Sequence, residues 1–575
     1  MATELLSGGI RFDGISSGTD FSSMIDQLKK VESIQKNRME LWKGDWEKRL
    51  EAFQDIRTEI GKLKTIVDGM DTISEFMTKT AASSDASIAT AKADTQALEG
   101  SYKLEVGQLA TNAILTYQNG FSDKKASINT SGSTQEFVYS YKGKQHTISV
   151  ANGTTLEGLV NMINKDSQNP GVRASLIKTG DQYMFQLKGM DLGAGNTLSI
   201  DSSTSLTAFD LDPAFWHQQA PQNAQYRINN WPGGSWLESS SNTLTEAIEG
   251  LTINLRDTGV TQVSVDTDID KIIENVHAFV DGMNAVRTKI KDLTKVSDAK
   301  KREDATKATS QFDAEKGSVL TGNYGVQLVS SRLKQITSNR SPGFDYQYEE
   351  DGKTKGDIYS SLAQIGILTN SDESSVNNGL LEVDDVKLRE ALEKTPDEVA
   401  ALFAASGEGL SDSADFSYES HVNGITKPGK YEVAYEIDAS GNIINASIGG
   451  FAAKVEQGSH QIIAMEGPAK GLAVRVDNMT QGSYSDAVRL RQGKMGEISD
   501  TLKEMTSTDG TLKILERNYK DIIYEIEEKI DREETRLMKW EQNMRLKFSR
   551  LEATLTTYDQ QTQALSSAIQ QMNKS

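Results

Sequence analysis

Cysteine is absent from the 575 residues, and that excludes disulfides, thiolate nucleophiles, iron–sulfur clusters and every cysteine-based zinc site together. Histidine is scarce. His146, His217, His277, His421 and His460 never fall within one helical turn of each other, so H-E-x-x-H metal chemistry is missing too. Long apolar runs are also lacking: the longest, Val399–Ala405, is far short of the ~20 residues that span a bilayer. The opening residues, MATELLSGGIRFDG, hold no basic stretch followed by the apolar core of a cleaved secretory signal. Positive charge is in deficit, with 62 Lys+Arg against 82 Asp+Glu and a net charge of −20. No long basic run offsets it, which argues against nucleic acid as a partner. These absences lead to the expectation of a non-enzymatic chain with no cofactor, no metal and no membrane span.

Proline is confined to the middle. All eight prolines lie from Pro170 to Pro468, so both ends are free of helix breakers. There the apolar residues recur every seven: Met39, Trp46, Phe53, Ile60 and Val67 near the start, and Ile523, Ile530, Leu537, Met544, Leu551, Tyr558, Leu565 and Met572 at the end. Companions follow three or four further on, among them Trp42, Ile56, Leu63 and Met70, with Arg49 breaking that row, and Ile526, Trp540, Phe548, Leu555 and Ile569. This is a heptad seam, and it predicts long helices that must bury their stripe on each other, on a bundle or on another chain.

Between the ends the period changes to two. SYKLEVGQLAT (101–111), HTISVANGTTL (146–156), RASLIKTGDQYMFQLKG (173–189), LTINLRDTG (251–259) and TQVSVDTD (261–268) alternate between turn residues and read as antiparallel hairpins. Helical periodicity returns over Ile269–Ile290, Tyr324–Ile336 and 383–403, and a second alternating block fills 429–450 and continues to Arg475. The expected fold is α+β and multidomain: long N- and C-terminal helices form a coiled-coil or helical-bundle leg, with antiparallel β-rich head domains inserted between them. The expected divisions are a flexible terminal leg segment (1–38), an N-terminal bundle helix (39–78), a β-rich head of two lobes (79–265), a helical-bundle continuation with a short β element (266–405), an extra β-rich insertion (406–481) and the C-terminal helices (482–575).

Three stretches imitate functional sites. Gly424-Ile425-Thr426-Lys427-Pro428-Gly429-Lys430-Tyr431 nearly spells a phosphate-binding loop, but Tyr431 replaces the Ser/Thr and a strand pattern follows where a helix is required. Asp266-Thr267-Asp268-Ile269-Asp270 begins like a calcium loop, yet Lys271 and His277 occupy the positions of the essential Gly and Glu. Asp268 or Asp270 is better placed to cap a helix. Asp384 and Asp385 are adjacent on what reads as a capped helix start, so they do not face one site.

The order of segments resembles the flagellar filament cap, or hook-associated protein 2, family along nearly the whole chain. Gly14, Ser17, Gly18 and Asp20 are similar to its N-terminal G-x-x-S-G-x-D, and residues 76–110 resemble a Ser/Ala-rich passage ending in a G-x-Y-x-(apolar)-x-V-x-x-L-A strand. GTTLEGLVNMINKDSQNPGVRASL (153–176) resembles an element shared with flagellins, and SLAQIGILTNSDESSVNNGLLEVDDVKLREALEKTPDEVAALF (361–403) is the sharper match to the cap family. The resemblance implies an extracellular protein at the flagellum tip, exported without a cleaved signal, which retains flagellin and promotes its polymerisation during filament elongation. It implies a homo-oligomeric closed ring, a pentamer in many members, with β-rich heads forming a plate and helical legs below. Flagellin, the hook–filament junction proteins and the flagellar export apparatus with its chaperone are the implied partners. Two departures stand out: Ser33-Ile34-Gln35-Lys36 lacks the proline common after the first family helix, and the resemblance assigns no function to the 406–481 insertion. A different function, adhesion to mucus or another surface through the exposed β-rich heads, would use WHQQAPQNAQYRINNWPGGSW (216–236), which reads more readily as a loop anchored by aromatics in the head's own core.

Overall fold

The heptad stretches near both ends fold as helices. The computed structural model describes residues 20–295, 318–350 and 352–572. Helix α1 (Phe21–Glu32) starts where the Asp20 carboxylate accepts the Ser23 N–H at 2.9 Å, and α2 (Ile34–Asp68) follows after a single residue. Ser33 keeps near-helical angles, donates its N–H to the Lys29 carbonyl and accepts from the Asn37 N–H. Without a proline the helical hydrogen bonding runs on through this point, so residues 21–38, expected as a separate flexible segment, continue into α2. Gly14, Ser17 and Gly18 lie outside the described residues. At the other end one helix, Thr511–Met572, takes up 62 residues, a rod of ~93 Å at ~1.5 Å per residue.

The chain forms two compact units, Ser74–Glu274 and the remainder. The Ser74–Glu274 unit is antiparallel β with two hydrophobic cores. One core lies among a five-stranded sheet, ordered Lys79–Ser83, Gly259–Thr267, Gly100–Gln108, Ala224–Ile228 and Leu237–Ser239, and a three-stranded one. Strands distant in sequence pair here, as where Val263 opposes both Ser83 and Tyr102. The second core gathers Phe137, Tyr139, Tyr141, Phe185, Phe209 and Trp216 between four- and three-stranded sheets and the Leu156–Lys165 helix. That helix begins where the Thr155 hydroxyl accepts the Gly158 N–H at 3.0 Å.

The other unit combines the terminal helices with Tyr324–Ser338, Asp385–Lys394, Pro396–Ala404 and Lys494–Thr506, and carries an eight-stranded antiparallel sheet over Ser406–Gln492. The two strands at the ends of that sheet's hydrogen-bonded order, Ser406–Ser411 and Phe416–Ser420, are consecutive in the chain. The sheet therefore rolls until its edges meet around Tyr431, Val433, Tyr435, Ile448, Val474 and Val488. The Tyr418 ring bridges the join by lying flat on Gly409, where a Cβ would come within 2.3 Å of it. Its last strand, Gly482–Gln492, runs past the expected boundary at 481. Val488 faces the sheet's core while Arg489 and Arg491 point to carboxylates outside it, a period of two that holds residues 482–492 in the sheet. Helix resumes only at Lys494.

The imitation sites resolve into ordinary structure. Gly429 opens a strand, Asp268 accepts the Lys271 N–H at 2.9 Å, and Asp384 accepts the Lys387 N–H at 3.1 Å.

Candidate functional site

The terminal helices run antiparallel, with apolar and charged residues in register. Lys29, Lys36 and Lys43 recur every seven residues, and so do Glu541, Glu534 and Glu527; each lysine meets its glutamate at 2.6 Å. Arg536 adds a contact to Glu32 at 3.1 Å and Arg57 one to Glu516 at 2.7 Å. Such flanking pairs fix register and orientation more than they add stability, at ~0.2–1 kcal/mol each. The hydrogen bond that Lys36 donates to Glu534 raises the lysine's pKa, and the one that Lys43 donates to Glu527 raises that of Lys43. Lys29, aided by Arg545, holds the Glu541 carboxyl below its ordinary range. A search for apolar periodicity alone overlooks this ladder, although a seven-residue spacing of Lys and Glu is visible in the sequence.

Between the charged rows lies the seam. Phe53, Ile60 and Val67 are buried, with Ile56, Leu63 and Met70 beside them. Met39 and Trp46 are half-buried; Trp46 packs on the Tyr519 ring at 5.4 Å, and Arg49 lies over Trp46 at 4.7 Å. The residue that breaks the apolar row thus still packs on an aromatic face. Ile530 and Leu537 are buried, Ile523 and Met544 half-buried. Phe21 stacks on Phe548 at 5.0 Å. Beyond that contact Leu551, Tyr558 and Leu565 are exposed, with Ile569 beside them; the Met572 side chain lies outside the described residues. The structure therefore gathers the near part of the seam and, in the far part, half-buries Leu555 while leaving these four residues exposed.

Two features that sequence reasoning missed hold this unit together. The 361–403 motif is pinned from several sides. The Gln364 carboxamide oxygen accepts the Ser360 and Ser361 N–H groups at 2.7 and 3.0 Å, and Gly366 ends the turn at φ +93°, a conformation that favours glycine. Asn284 pairs with both backbone groups of Leu381 at 2.7 and 2.8 Å, and Arg287 donates to the Gly379 carbonyl at 3.0 Å. Burial brings the Arg287 pKa down to about 10. The second feature anchors the rolled sheet: Arg489 and Arg491, both buried, share Asp357 and reach Asp412 and Glu408 respectively. Breaking such a network by removing one partner is costly because a buried charge is left behind.

In the Ser74–Glu274 unit the aromatic segment 216–236 divides. Trp216 is a core residue bonded through Nε1 to the Asp210 carbonyl at 2.8 Å, Trp236 carries the Arg227 guanidinium 3.9 Å above its ring, and Trp231 is 66% exposed. Among the described residues no group of three or more His, Asp or Glu is placed to hold a metal, and no helix is long and apolar enough to cross a membrane.

Family descriptions match the sequence along most of its length. The family description "Flagellar hook-associated protein 2 C-terminus" matches residues 221–560, more than half the chain; its N-terminal counterpart matches 17–113, and the "Flagellin hook IN motif" matches 137–189. The flagellar hook-associated protein 2 of Aquifex aeolicus is 27% identical over 298 residues, 50% of this chain and 66% of that protein. The A-type protein of Pseudomonas aeruginosa is 25% identical over 422 residues, 68% of this chain and 80% of the relative. The crystal structure of the flagellar cap protein FliD D1-D2-D3 domains from Escherichia coli has 20% identity and a TM-score of 0.49, over 82% of this chain and 99% of that one.

Proposed function

The chain belongs to the flagellar hook-associated protein 2 family, the cap proteins of the bacterial flagellum, and we propose that it acts at the filament tip as a closed ring of like subunits that retains exported flagellin and promotes its polymerisation. The role is structural, with no catalytic step. The observation that carries this reading is the exposure of Leu551, Tyr558, Leu565 and Ile569 in the far part of the C-terminal seam. An isolated helix with an apolar stripe is marginal in water, so a stripe with these four residues exposed is suited to partners met at the tip, flagellin or the hook–filament junction proteins. The absence of cysteine suits a chain handed by a chaperone to the export apparatus and folded after passage.

The test uses Met544, at the border between the covered and uncovered parts. Met544→Asp places a carboxylate in the half-buried stripe, at a local cost of ~1–3 kcal/mol. A strain carrying it should secrete unpolymerised flagellin and build short filaments. Normal values for both would refute the assembly role of this helix.

Adhesion is a second reading, favoured by one observation: Trp231 stands exposed while Trp216 and Trp236 are engaged. Trp231→Ala would then weaken attachment to a mucus-coated surface and leave filament length unchanged; unchanged attachment would remove this reading.

A further inference from the structure

An asparagine followed by glycine is open to attack on its carboxamide by the next backbone nitrogen, because glycine has no Cβ to resist the swing. The chain has such pairs at Asn119, Asn152, Asn378 and Asn423. Two of them are shielded. The Gly153 N–H donates to the Asn129 carbonyl and the Gly379 N–H to the Asn370 carbonyl, both at 2.8 Å, so neither nitrogen is available as a nucleophile. The Gly120 and Gly424 N–H groups find no backbone acceptor among the described residues. Gly120 is hemmed in: a Cβ there would come within 2.6 Å of the Gln182 side chain, and Phe121 exchanges both its backbone bonds with Tyr183.

Asn423 and Gly424 are exposed, in the loop that leads into the Gly429–Ile437 strand of the rolled sheet. His421 Nε2 lies 2.6 Å from Asn423 Oδ1, and His421 Nδ1 lies 2.6 Å from the Tyr418 hydroxyl. A carboxamide oxygen only accepts, so Nε2 carries the hydrogen and Nδ1 accepts from the Tyr418 O–H. The Tyr418 ring is fixed on Gly409, and a Cβ at Gly407 would come within 2.9 Å of His421 Nε2, so the imidazole has its place because residue 407 is glycine. A positioned donor therefore rests on the oxygen where negative charge develops when a nucleophile adds to this carboxamide.

We infer that Asn423 is a site of self-modification, converted to aspartyl and isoaspartyl residues faster than the other three Asn-Gly pairs. The Gly424 nitrogen bonds to Asn423 Cγ, and Nδ2 leaves as ammonia with the proton that the Gly424 nitrogen gives up. His421 donates to Oδ1 while that oxygen bears the charge. Water then opens the cyclic imide at either carbonyl. Opening at one restores the backbone and leaves a side-chain carboxylate; opening at the other routes the backbone through Cγ. The second product adds a methylene inside the turn in which the Ile425 and Thr426 N–H groups both donate to the Val422 carbonyl, at 3.1 and 2.9 Å. The inference is independent of the assembly and adhesion readings above.

The test is peptide mapping by mass spectrometry of the full-length chain, kept for weeks near neutral pH, with the mass gain of amide-to-acid conversion followed at all four asparagines. Asn423 should convert first, Asn119 more slowly, and Asn152 and Asn378 last. His421→Ala should slow conversion at Asn423 ~10-fold and leave Asn119 unchanged; an enclosed oxyanion donor is worth ~100-fold or more, and this one is open to water. Conversion at any other pair as fast as at Asn423 overturns the inference with no substitution made. So does a His421→Ala chain of unchanged circular dichroism in which Asn423 converts at the original rate or faster. If His421→Ala alters the circular dichroism, Tyr418→Phe is read in its place, since it keeps the ring and removes only the hydroxyl that sets the imidazole tautomer. Slowing confined to Asn423 then supports the inference, and an unchanged rate there overturns it.

Discussion

The two halves of the C-terminal helix share one heptad and differ in what covers it. In the near half Leu512 and Ile526 are 1% exposed and Leu537 4%, whereas in the far half Leu551 is 44%, Tyr558 63% and Leu565 62% exposed. The apolar residue types are alike. The difference is in the partners: α2 and the Lys494–Thr506 and Tyr324–Ser338 helices pack on the near half, and α1 reaches as far as Phe548. A heptad therefore specifies which face of a helix seeks cover and leaves open what supplies it. In this molecule the near half contributes to folding, and the exposed apolar residues of the far half are those that the proposal above assigns to assembly.

Substitutions in the two halves should separate those roles. Phe53→Ala empties a site that is 0% exposed beside the Tyr519 ring, and should cost ~3–5 kcal/mol, read as a lower thermal midpoint of the purified chain. Next in size is the charge ladder. Replacing Glu527, Glu534 and Glu541 together by Gln should cost ~0.2–1 kcal/mol per pair and make the helical pair less sensitive to salt.

The ladder also sets a pH window. Glu541 has a lowered pKa when folded, so its contribution is complete above the unfolded carboxylate value near ~4.3 and is lost as pH falls through the lower folded value. Lys36 and Lys43 have raised values, so theirs is complete below ~10.4 and is lost as pH rises through the folded value. Acid titration followed by circular dichroism should show the helical pair loosening below pH ~4, and the triple Gln variant should lose that part of the transition. The smallest effect on stability belongs to the far half: Tyr558→Ala and Leu565→Ala should leave the unfolding free energy within ~0.5 kcal/mol of that of the unaltered chain, while shortening filaments in the cell.

Much of the architecture was readable because its signals are local. The missing prolines and the heptads located the terminal helices, and the alternating runs located the hairpins. The 361–403 motif pointed to the family before the structure explained it through Gln364, Gly366 and Asn284. What was not readable depends on long-range partners. Nothing near Asp357 in sequence announces Arg489 and Arg491, and nothing in the repeated spacing of Leu537 and Leu565 shows that one is buried and the other exposed. The end of the insertion was placed too early because alternation in 482–492 is carried by arginines facing buried carboxylates, and a hydropathy pattern counts those as solvent-facing. The Lys and Glu ladder was legible, since its residues recur every seven, but it appears only when charges are tracked as closely as apolar positions.

The most direct measurement is a truncation after Ser549, which removes the uncovered part of the seam and keeps the Phe21–Phe548 contact. Filament length and secreted monomeric flagellin would be measured in cells, beside the thermal midpoint of the purified protein. An unchanged midpoint with flagellin released and filaments absent or short is the expected result. Filaments of normal length from the truncated chain would contradict the assignment of this half of the helix to assembly.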